Sequence, residues 1–213
     1  MPNHTQVTPR ELPPDLARLV ERTGGPQPWR KVFHAANALL IVGAVTILPV
    51  SRTTTLVCLA AAFAGLALFD LIRMRSLAVN RLFFTAFGGL ASPREARGLA
   101  SSTWYVLGVL VAVALFPQQV ATSGILVMGL ADPAAGYAGR RWGKRPLMGG
   151  TLLGSAVFLS VAVLVLGVRH AIVPAVVTGL MATLLERRSW PLDDNLTVPV
   201  ATAAVLTGFA TWM

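Results

Sequence analysis

The sequence predicts an all-α membrane protein: a polytopic bundle of about seven transmembrane helices with a cytosolic N-terminus. The 213 residues are 54% hydrophobic and only 13% charged, with a mean hydropathy of +0.65, a composition typical of polytopic membrane proteins rather than soluble domains. Apolar segments near the length of a spanning helix recur along the chain. Cations are concentrated in alternate connections between those segments, as expected for a membrane protein with a fixed orientation.

Residues 1–29 are predicted to form a flexible cytosolic tail, and residues 30–213 a transmembrane domain. Leu16, Leu19 and Val20 recur at helical spacing among charged residues, and paired glycines follow them as a helix stop. We expect a short amphipathic helix there and no chemistry. The N-terminal residues are polar and rich in proline, so no signal peptide is expected.

The apolar segments are predicted to be spanning helices, each near the roughly 20 residues that cross a bilayer. They cover residues 32–50, 53–72, 101–117, 119–138, 151–168, 171–185 and 196–213. A count of six stays open if a short segment is re-entrant. Over residues 71–100, arginines alternate with Leu and Phe side chains, which favours a helix lying in the membrane interface.

The charges predict the orientation of the bundle. With the N-terminus inside, Arg52 and Arg169 are the only two of the 18 Lys and Arg that lie outside. All nine Asp and Glu also fall inside or at inner helix ends. We therefore expect a multi-pass protein of the cell (plasma) membrane with a cytosolic active face. Trp190 suits the interfacial belt, and anionic lipid headgroups, rather than nucleic acid, are the expected partners of the net charge of +9.

Several chemistries are excluded by residue type and spacing. Cys58 is the single cysteine, so neither a disulfide framework nor a cysteine metal site is expected. His4, His34 and His170 are scattered along the chain, which argues against a zinc cluster. The chain contains no GxxxxGK[ST] loop, serine nucleophile elbow or HExxH motif.

The segment GLADPAAGYAGRRWGKRPLMGGTLLG is the most informative stretch. In one continuous helix, Asp132, Gly136, Gly139 and Gly143 share a face that is bare of side chains beside a carboxylate. Such a face lets a ligand approach the backbone closely. Pro133 leaves a second interpretation open, in which the helix ends before Asp132 and restarts with that residue as its N-cap.

Acids and cations accompany the glycines. An oxygen-rich patch follows the sixth apolar segment: Glu186, Asp193, Asp194 and Asn195. With Asp132, this patch suits Mg²⁺, which binds phosphates through one or two carboxylates and water. The candidate phosphate-binding cations are Arg30, Arg140 and Lys144. Together they indicate phosphoryl or nucleotidyl transfer at a lipid hydroxyl or phosphate.

Structural roles stay open for several of these side chains. His34 suits a hydrogen-bonded packing residue. Asp70 and Arg73 suit an i, i+3 ion pair at a helix end. Asp194 or Asn195 suits the N-cap of the last helix.

Six motifs, taken together and in order, resemble a known family. They are Arg30-Lys31-x-x-His34, Asp70-x-x-Arg73, Arg94-Glu95, Thr103-x-Tyr105-x-Leu107-Gly108, Asp132-x-x-Ala135-x-x-x-Gly139-Arg140-x-x-Gly143-Lys144, and Glu186 followed by Asp194-Asn195-Leu196-Thr197-Val198-Pro199. The chain resembles the polyprenol kinase family, which comprises dolichol kinase, phytol kinase and the CTP-dependent diacylglycerol kinases. Its signature GDxxAxxxGRxxGK is matched except that Ala131 replaces the first glycine.

The resemblance implies transfer of the γ-phosphoryl group of CTP, or another nucleoside triphosphate, to the hydroxyl of a polyprenol, phytol-like or diacylglycerol lipid. The cofactor expected with it is Mg²⁺ or another divalent cation. The predicted catalytic residues are Asp132, Glu186 and Lys31, and the predicted metal-binding residues are Asp132, Asp194 and Asn195. The residues predicted to bind the nucleotide are Arg30, Gly136, Gly139, Arg140, Gly143 and Lys144. The residues predicted to bind the acceptor are His34, Arg94 and Glu95.

One departure from the family affects charge. The family usually continues with K-[ST]-x-E-G-S, whereas this chain has Gly150 in place of the lysine and Leu153 in place of the glutamate. A different nucleotide or acceptor, charges supplied by Arg141, Arg145 or Glu186, or a weakened enzyme would each account for the loss.

Two alternatives to a kinase stay open. A cytidylyltransferase that makes a CDP-lipid would need the same nucleotide clamp but would release pyrophosphate. A non-catalytic membrane protein, either a scaffold or a small transporter with a helix broken at Asp132, would need no turnover.

Overall fold

The computed structural model describes residues 12–25, 27–187 and 192–212. Within these ranges the helices are α1 (Pro14–Arg22), α2 (Pro28–Ile47), α3 (Arg52–Arg75), α4 (Leu77–Phe87), α5 (Ser101–Leu115), α6 (Gln118–Trp142), α7 (Leu152–Gly167), α8 (Ile172–Arg187) and α9 (Asp194–Trp212). A 3₁₀ turn, Pro93–Ala96, precedes α5, and two short strands, β1 (Pro146–Leu147) and β2 (Gly150–Thr151), follow α6. The predictions for residues 1–11, Arg188 and Trp190 lie outside the described residues.

The all-α class is confirmed, and each predicted apolar segment corresponds to one long helix among α2, α3 and α5 to α9. Of the helices described, α2 and α3 are long and apolar enough to cross a membrane, while α4, α5 and α7 are shorter apolar helices. Only 6% of the most apolar stretch of α3 is buried, whereas an apolar helix in a soluble core is buried all round. These helices indicate a membrane protein; seven spans and a cytosolic N-terminus stay predictions.

The short N-terminal helix is docked on the bundle. Leu16 of α1 is fully buried and packs with Phe84 of α4 in a small second core. An ion pair joins the same two helices, with Arg81 Nε 2.5 Å from Asp15 Oδ2. The sequence predicted this helix and the helix within residues 71–100, but not that they pack together. The domain boundary at residue 30 and the interfacial position of α4 stay predictions.

A buried ion pair fixes the chain that leads into α5. Arg73 Nε donates to Asp70 Oδ1 over 2.6 Å, and both side chains are almost fully buried. Arg73 also donates to the carbonyls of Glu95 (2.5 Å) and Gly98 (2.7 Å), while Asp70 Oδ2 accepts from Thr103 Oγ1 (2.6 Å). Because both charges are paired and hydrogen-bonded, this is a structural pair.

The central helix is α6, which packs against α2, α7 and α9. It is continuous from Gln118 to Trp142 with Pro133 inside it, so the interpretation in which the helix ends before Asp132 is wrong. Proline cannot donate to the Gly129 carbonyl, but three packed helices support the segment, and Lys31 Nζ ties the same turn to α2 by donating to the Pro133 carbonyl over 3.0 Å. The transporter alternative loses the broken helix on which it depended.

Glycines on α5 and α6 bring α9 close to both helices. A Cβ at Gly108 would overlap the Asn195 carbonyl, and one at Gly124 would overlap the Pro199 carbonyl. Only glycine allows backbones to approach to this distance. The start of α9, with its acids, is therefore held against the centre of the bundle.

Gly108→Ala is expected to lower the free energy of unfolding by about 1–3 kcal/mol, because the α9 backbone must move to admit the methyl group. Gly65→Ala is the matched control, since Gly65 lies within α3 and its Cβ position has no neighbour within 4 Å. That variant should lose nothing or gain slightly from helix propensity. Thermal unfolding of both purified variants in one detergent makes the comparison, and equal midpoints would contradict the close approach.

A hairpin that the sequence analysis did not predict follows α6. Its turn residues Met148 and Gly149 have φ angles of 44° and 79°, as a two-residue type I′ turn requires. Thr151 on the returning strand caps α7 by accepting a hydrogen bond from the Gly154 amide over 3.1 Å. The hairpin thereby brings Gly150 and Thr151 back beside the end of α6.

Candidate functional site

The predicted site residues come together at one end of the bundle. They lie at the starts of α2 and α9, near the ends of α6 and α8, and in the turn before α5. The two cations predicted to lie outside are at the opposite end, where Arg52 donates to the Val113 carbonyl and Arg169 to Thr122 Oγ1. Charged groups are thus separated between the two ends as the sequence predicted, although which end faces the cytosol stays a prediction.

The bare face of α6 holds a cation at Gly136. The Lys31 ammonium occupies the space where a Cβ of Gly136 would lie, and Arg140 Nη1 is 4.0 Å from the same point. Lys31 is also within electrostatic range of Asp132 and Arg30. Two cations and one carboxylate therefore converge on one helical turn, and the missing side chain at Gly136 makes this possible.

The other two glycines of that face are explained by packing. A Cβ at Gly139 would lie 2.8 Å from Thr151 Oγ1, and one at Gly143 would overlap the same side chain. Thr151 therefore occupies the space that the sequence analysis assigned to a nucleotide at these two positions. Lys144, predicted to bind the nucleotide, is exposed where the chain leaves α6.

Arg30 is anchored at the edge of the site by the turn before α5. Its Nη2 donates to Ser101 Oγ over 2.6 Å and lies 4.0 Å from Glu95 Oε1. Glu95 is buried and accepts hydrogen bonds from the Ser101 amide (3.3 Å) and from Ser101 Oγ (2.7 Å). Glu95, predicted to bind the acceptor, thus orients Arg30, while the neighbouring Arg94 is exposed and in electrostatic range of Asp194.

His34 lies one turn deeper than Lys31 and is buried against Tyr105. Their rings meet edge to face with centroids 5.4 Å apart, a favourable aromatic geometry. The imidazole is also within electrostatic range of Asp132 and Asp193. This burial fits the structural alternative that the sequence left open, a packing residue in the wall of the site, and the acceptor-binding role of His34 stays a prediction.

The first acid before α9 caps the helix. Asp193 Oδ1 accepts from the Asn195 amide (3.1 Å) and from Asn195 Nδ2 (2.7 Å). The capping side chain is therefore Asp193 and not Asp194 or Asn195. Burial raises the pKa of the Asp194 carboxyl well above its usual value, and the charges of Asp132 and Asp193, with the hydrogen bond that protonated Asp194 donates to Asp193, add to the rise.

These acids fit a hard divalent cation. Among the described residues, no three His, Cys, Asp or Glu side chains are already spaced to hold a metal ion. The charges of Asp132 and Asp193 nevertheless help to raise the pKa of Asp194, a repulsion that a cation would relieve. Oxygen donors alone, in this small number, suit Mg²⁺ that completes its shell with phosphate and water.

Glu186 and Arg187 close the far side of the site. Burial raises the pKa of the Glu186 carboxyl to about 7, with Arg187 opposing the rise and the charge of Asp132 adding to it. Arg187 Nε lies 2.9 Å from Glu186 Oε2 but donates its hydrogen bond to Ser155 Oγ over 2.8 Å. Glu186 Oε2 therefore has an ion-pair contact without a hydrogen bond from the described residues.

Sequence reasoning missed Arg187 as a site residue. The predicted site gave it no role, yet its guanidinium lies directly over Gly150. The signal was the loss of the family's lysine at Gly150, which makes room for a side chain from elsewhere. The sequence could not show that α8 delivers this side chain, because the contact crosses 37 positions.

Comparison with known proteins agrees with the motifs. The chain is 27% identical to CTP-dependent diacylglycerol kinase 1 of Schizosaccharomyces pombe over 205 residues, which cover 83% of this chain and 90% of the relative. The predicted resemblance to the polyprenol kinase family is confirmed. Two more similar proteins carry the same name, from Eremothecium gossypii and Saccharomyces cerevisiae, and are 29% and 28% identical over 54% of this chain. Those matches cover only 36% and 39% of the two relatives. No family model matches the chain, and no solved structure matches it.

Proposed function

We propose that this protein is an integral membrane lipid kinase that transfers the γ-phosphoryl group of CTP to the hydroxyl of a membrane lipid. Diacylglycerol is the first acceptor to test, and polyprenol and phytol-like alcohols are the alternatives within the class. The observation that carries the proposal is the convergence of Lys31 and Arg140 over Gly136 beside Asp132. The names of the relatives support CTP as the donor and a lipid alcohol as the acceptor.

The site is suited to a triphosphate and not to a neutral ligand. Lys31 and Arg140 present ammonium and guanidinium donors, and charge-assisted contacts to phosphate are about twice as strong as neutral hydrogen bonds. Arg30 is held rigidly by Ser101, so little side-chain entropy is lost when it binds an anion. Lys144 and Arg145 are exposed beside this cluster and would attract a nucleotide from solution.

Mg²⁺ or another divalent cation would be held by Asp132 and Asp194, with Asn195 and Asp193 beside them. When bound, such an ion neutralises charge that develops on the transferred group. Lys31 and Arg140 would hold the phosphates beside this ion, because their cationic groups converge over Gly136, one turn along α6 from Asp132.

The membrane would supply the acceptor to this end of the bundle. Apolar side chains on α3 and α8, including Val57, Leu68, Val173 and Leu184, are exposed, which suits contact with lipid. We infer a multi-pass protein whose active end faces the cytosol, as the predicted charge asymmetry requires. The lipid hydroxyl would then reach the phosphates from the membrane interface.

Glu186 is the proposed general base, and its environment predicts a pH profile. Its carboxyl lies just beyond the predicted span 171–185, and burial raises its pKa to about 7. A base acts in its ionised form, so turnover should rise with pH through about 7 and fall to about one tenth of its plateau one unit below that value. Glu186→Gln should abolish this limb of the profile. A wild-type rate that is flat between pH 5.5 and 8 would rule out this role.

Labelled nucleotides test the reaction itself. The purified protein in mixed micelles with Mg²⁺ and diacylglycerol would be given CTP labelled on either its γ- or its α-phosphate, with ATP in parallel. We expect γ-label in the lipid, from CTP in preference to ATP. The appearance of α-label in the lipid would instead establish a cytidylyltransferase, and transfer of neither label to any lipid alcohol would contradict the proposal.

A further inference from the structure

The place left by the family's lysine is filled by an arginine from another helix. A Cβ at Gly150 would overlap Nη1 of Arg187, and Nη2 lies 3.1 Å from the same point. Any residue larger than glycine at position 150 would therefore displace the guanidinium. The glycine and the arginine are geometrically matched.

Arg187 is held in place through one nitrogen only. Its Nε donates to Ser155 Oγ over 2.8 Å and lies 2.9 Å from Glu186 Oε2, and the side chain is 12% exposed. Among the described residues, neither Nη1 nor Nη2 has a hydrogen-bond acceptor. The guanidinium is thus fixed at Nε, has little access to water, and has no acceptor for Nη1 and Nη2 among the described residues. Such a group is suited to bind an anion.

Arg187 also faces the nucleotide end of α6. Its Nη2 lies 3.0 Å from the Cβ position of Gly154, and the Ala135 carbonyl lies 3.3 Å from that same position. Ala135 directly precedes Gly136, over which the Lys31 ammonium lies. Gly154 thus lies close both to the Arg187 guanidinium from α8 and to the turn of α6 over which the Lys31 ammonium lies.

We propose that Arg187 is a phosphate-binding residue of this site, seated over Gly150 where the motif's lysine would otherwise begin, and positioned by Ser155 and Glu186. The inference rests on the proposed function, because it names a further contact to the same nucleotide. It also accounts for the departure at Gly150: the cation is supplied by α8, and the site has kept its charge. Glu186 likewise places a carboxylate beside this guanidinium, although the motif's glutamate at position 153 is Leu153 in this chain.

Binding of CTP with Mg²⁺, measured by calorimetry without any lipid acceptor, tests this without requiring turnover. Arg187→Ala should weaken the affinity about tenfold or more, the usual effect of losing a contact to a charged group. Arg169→Ala is the matched control, because Arg169 also donates through Nε to a serine, Ser123, but at the opposite end of the bundle. The Arg169→Ala variant should bind CTP with the affinity of the wild type.

Substitutions at Gly150 separate a binding role from a structural one. Gly150→Ala should weaken binding by displacing the guanidinium, and adding Arg187→Ala to it should cost little more, since both changes remove the same contact. Gly150→Lys combined with Arg187→Ala should recover most of the affinity, because the lysine enters the vacated space. A merely structural arginine would not be replaced in this way, so a double variant as weak as Arg187→Ala alone would overturn the inference.

The outcomes also distinguish this inference from the proposed function. Unchanged CTP affinity in Arg187→Ala would overturn the inference and leave the kinase proposal standing. A wild type that binds CTP but transfers no phosphoryl group would overturn the kinase proposal, while the Gly150 and Arg187 series would still decide the role of the arginine. A wild type that binds no CTP would overturn both.

Discussion

Asp132→Asn is expected to lower kcat for phosphoryl transfer by about 100- to 1,000-fold, the usual effect of removing one preorganised electrostatic group from an active site. Asparagine keeps the shape of the side chain but removes the negative charge that acts on Lys31 and on Asp194 at the start of α9. Asp132 is half-buried on a continuous helix, so the substitution should change the free energy of unfolding by no more than about 0.5 kcal/mol, as for a surface residue.

The control for this prediction is Asp15→Asn. Asp15 also faces a cation, Arg81, but it lies on α1 with its side chain 51% exposed and away from the site. Turnover of that variant should equal that of the wild type. Comparable rates for Asp132→Asn and the wild type would show that the site has been assigned to the wrong residues, and would favour a non-catalytic role.

Arg73→Met is expected to lower the free energy of unfolding by about 3–5 kcal/mol, because it leaves a buried carboxylate without its partner. Arg73 is fully buried, pairs with Asp70 and donates to two carbonyls of the chain that leads into α5. Its loss should therefore also loosen Glu95, and through it Arg30. Thermal unfolding in one detergent, followed by tryptophan fluorescence, provides the measurement.

Arg81→Met is the matched control for that loss. It removes an arginine from another Arg–Asp pair, but both of those side chains are about half exposed, and such surface pairs contribute about 0–1 kcal/mol. The two variants should therefore differ clearly in their unfolding midpoints. Similar midpoints would mean that the Asp70–Arg73 pair is not the scaffold of the site.

The positions of the helices and the clustering of the site were predictable because both depend on local pattern. Apolar segments of near-spanning length appear in the structure as long helices, and charged residues at alternate ends of those segments must meet if neighbouring helices run antiparallel. The pairing of Asp70 with Arg73 was equally local, since three positions in a helix bring two side chains together.

Other features depended on contacts between distant parts of the chain, which a single sequence does not reveal. The strands of the hairpin are two residues long, and its turn places Met148 at a positive φ, a conformation for which methionine gives no signal. The face of Gly139 and Gly143 was interpreted as a ligand surface, because the sequence cannot show that Thr151 returns to cover it. Arg187 was missed for the same reason.

The continuity of α6 through Pro133 was also decided by packing. Local propensity favours a break before proline, but α2, α7 and α9 surround this part of the helix. Lys31 also ties this turn to α2, because its ammonium donates to the Pro133 carbonyl. A residue predicted to act on substrate thus also supports the helix that carries Asp132.

A structure determined with Mg²⁺ and a CTP analogue that cannot transfer its γ-phosphoryl group tests the central claim most directly. We predict that the triphosphate lies along the turn of α6 at Gly136, within hydrogen-bond distance of Lys31 and Arg140, with the metal ion on the side of Asp132 and Asp194. A nucleotide bound at the opposite end of the bundle, near Arg52 and Arg169, or phosphates held only by the exposed Lys144 and Arg145, would contradict the account.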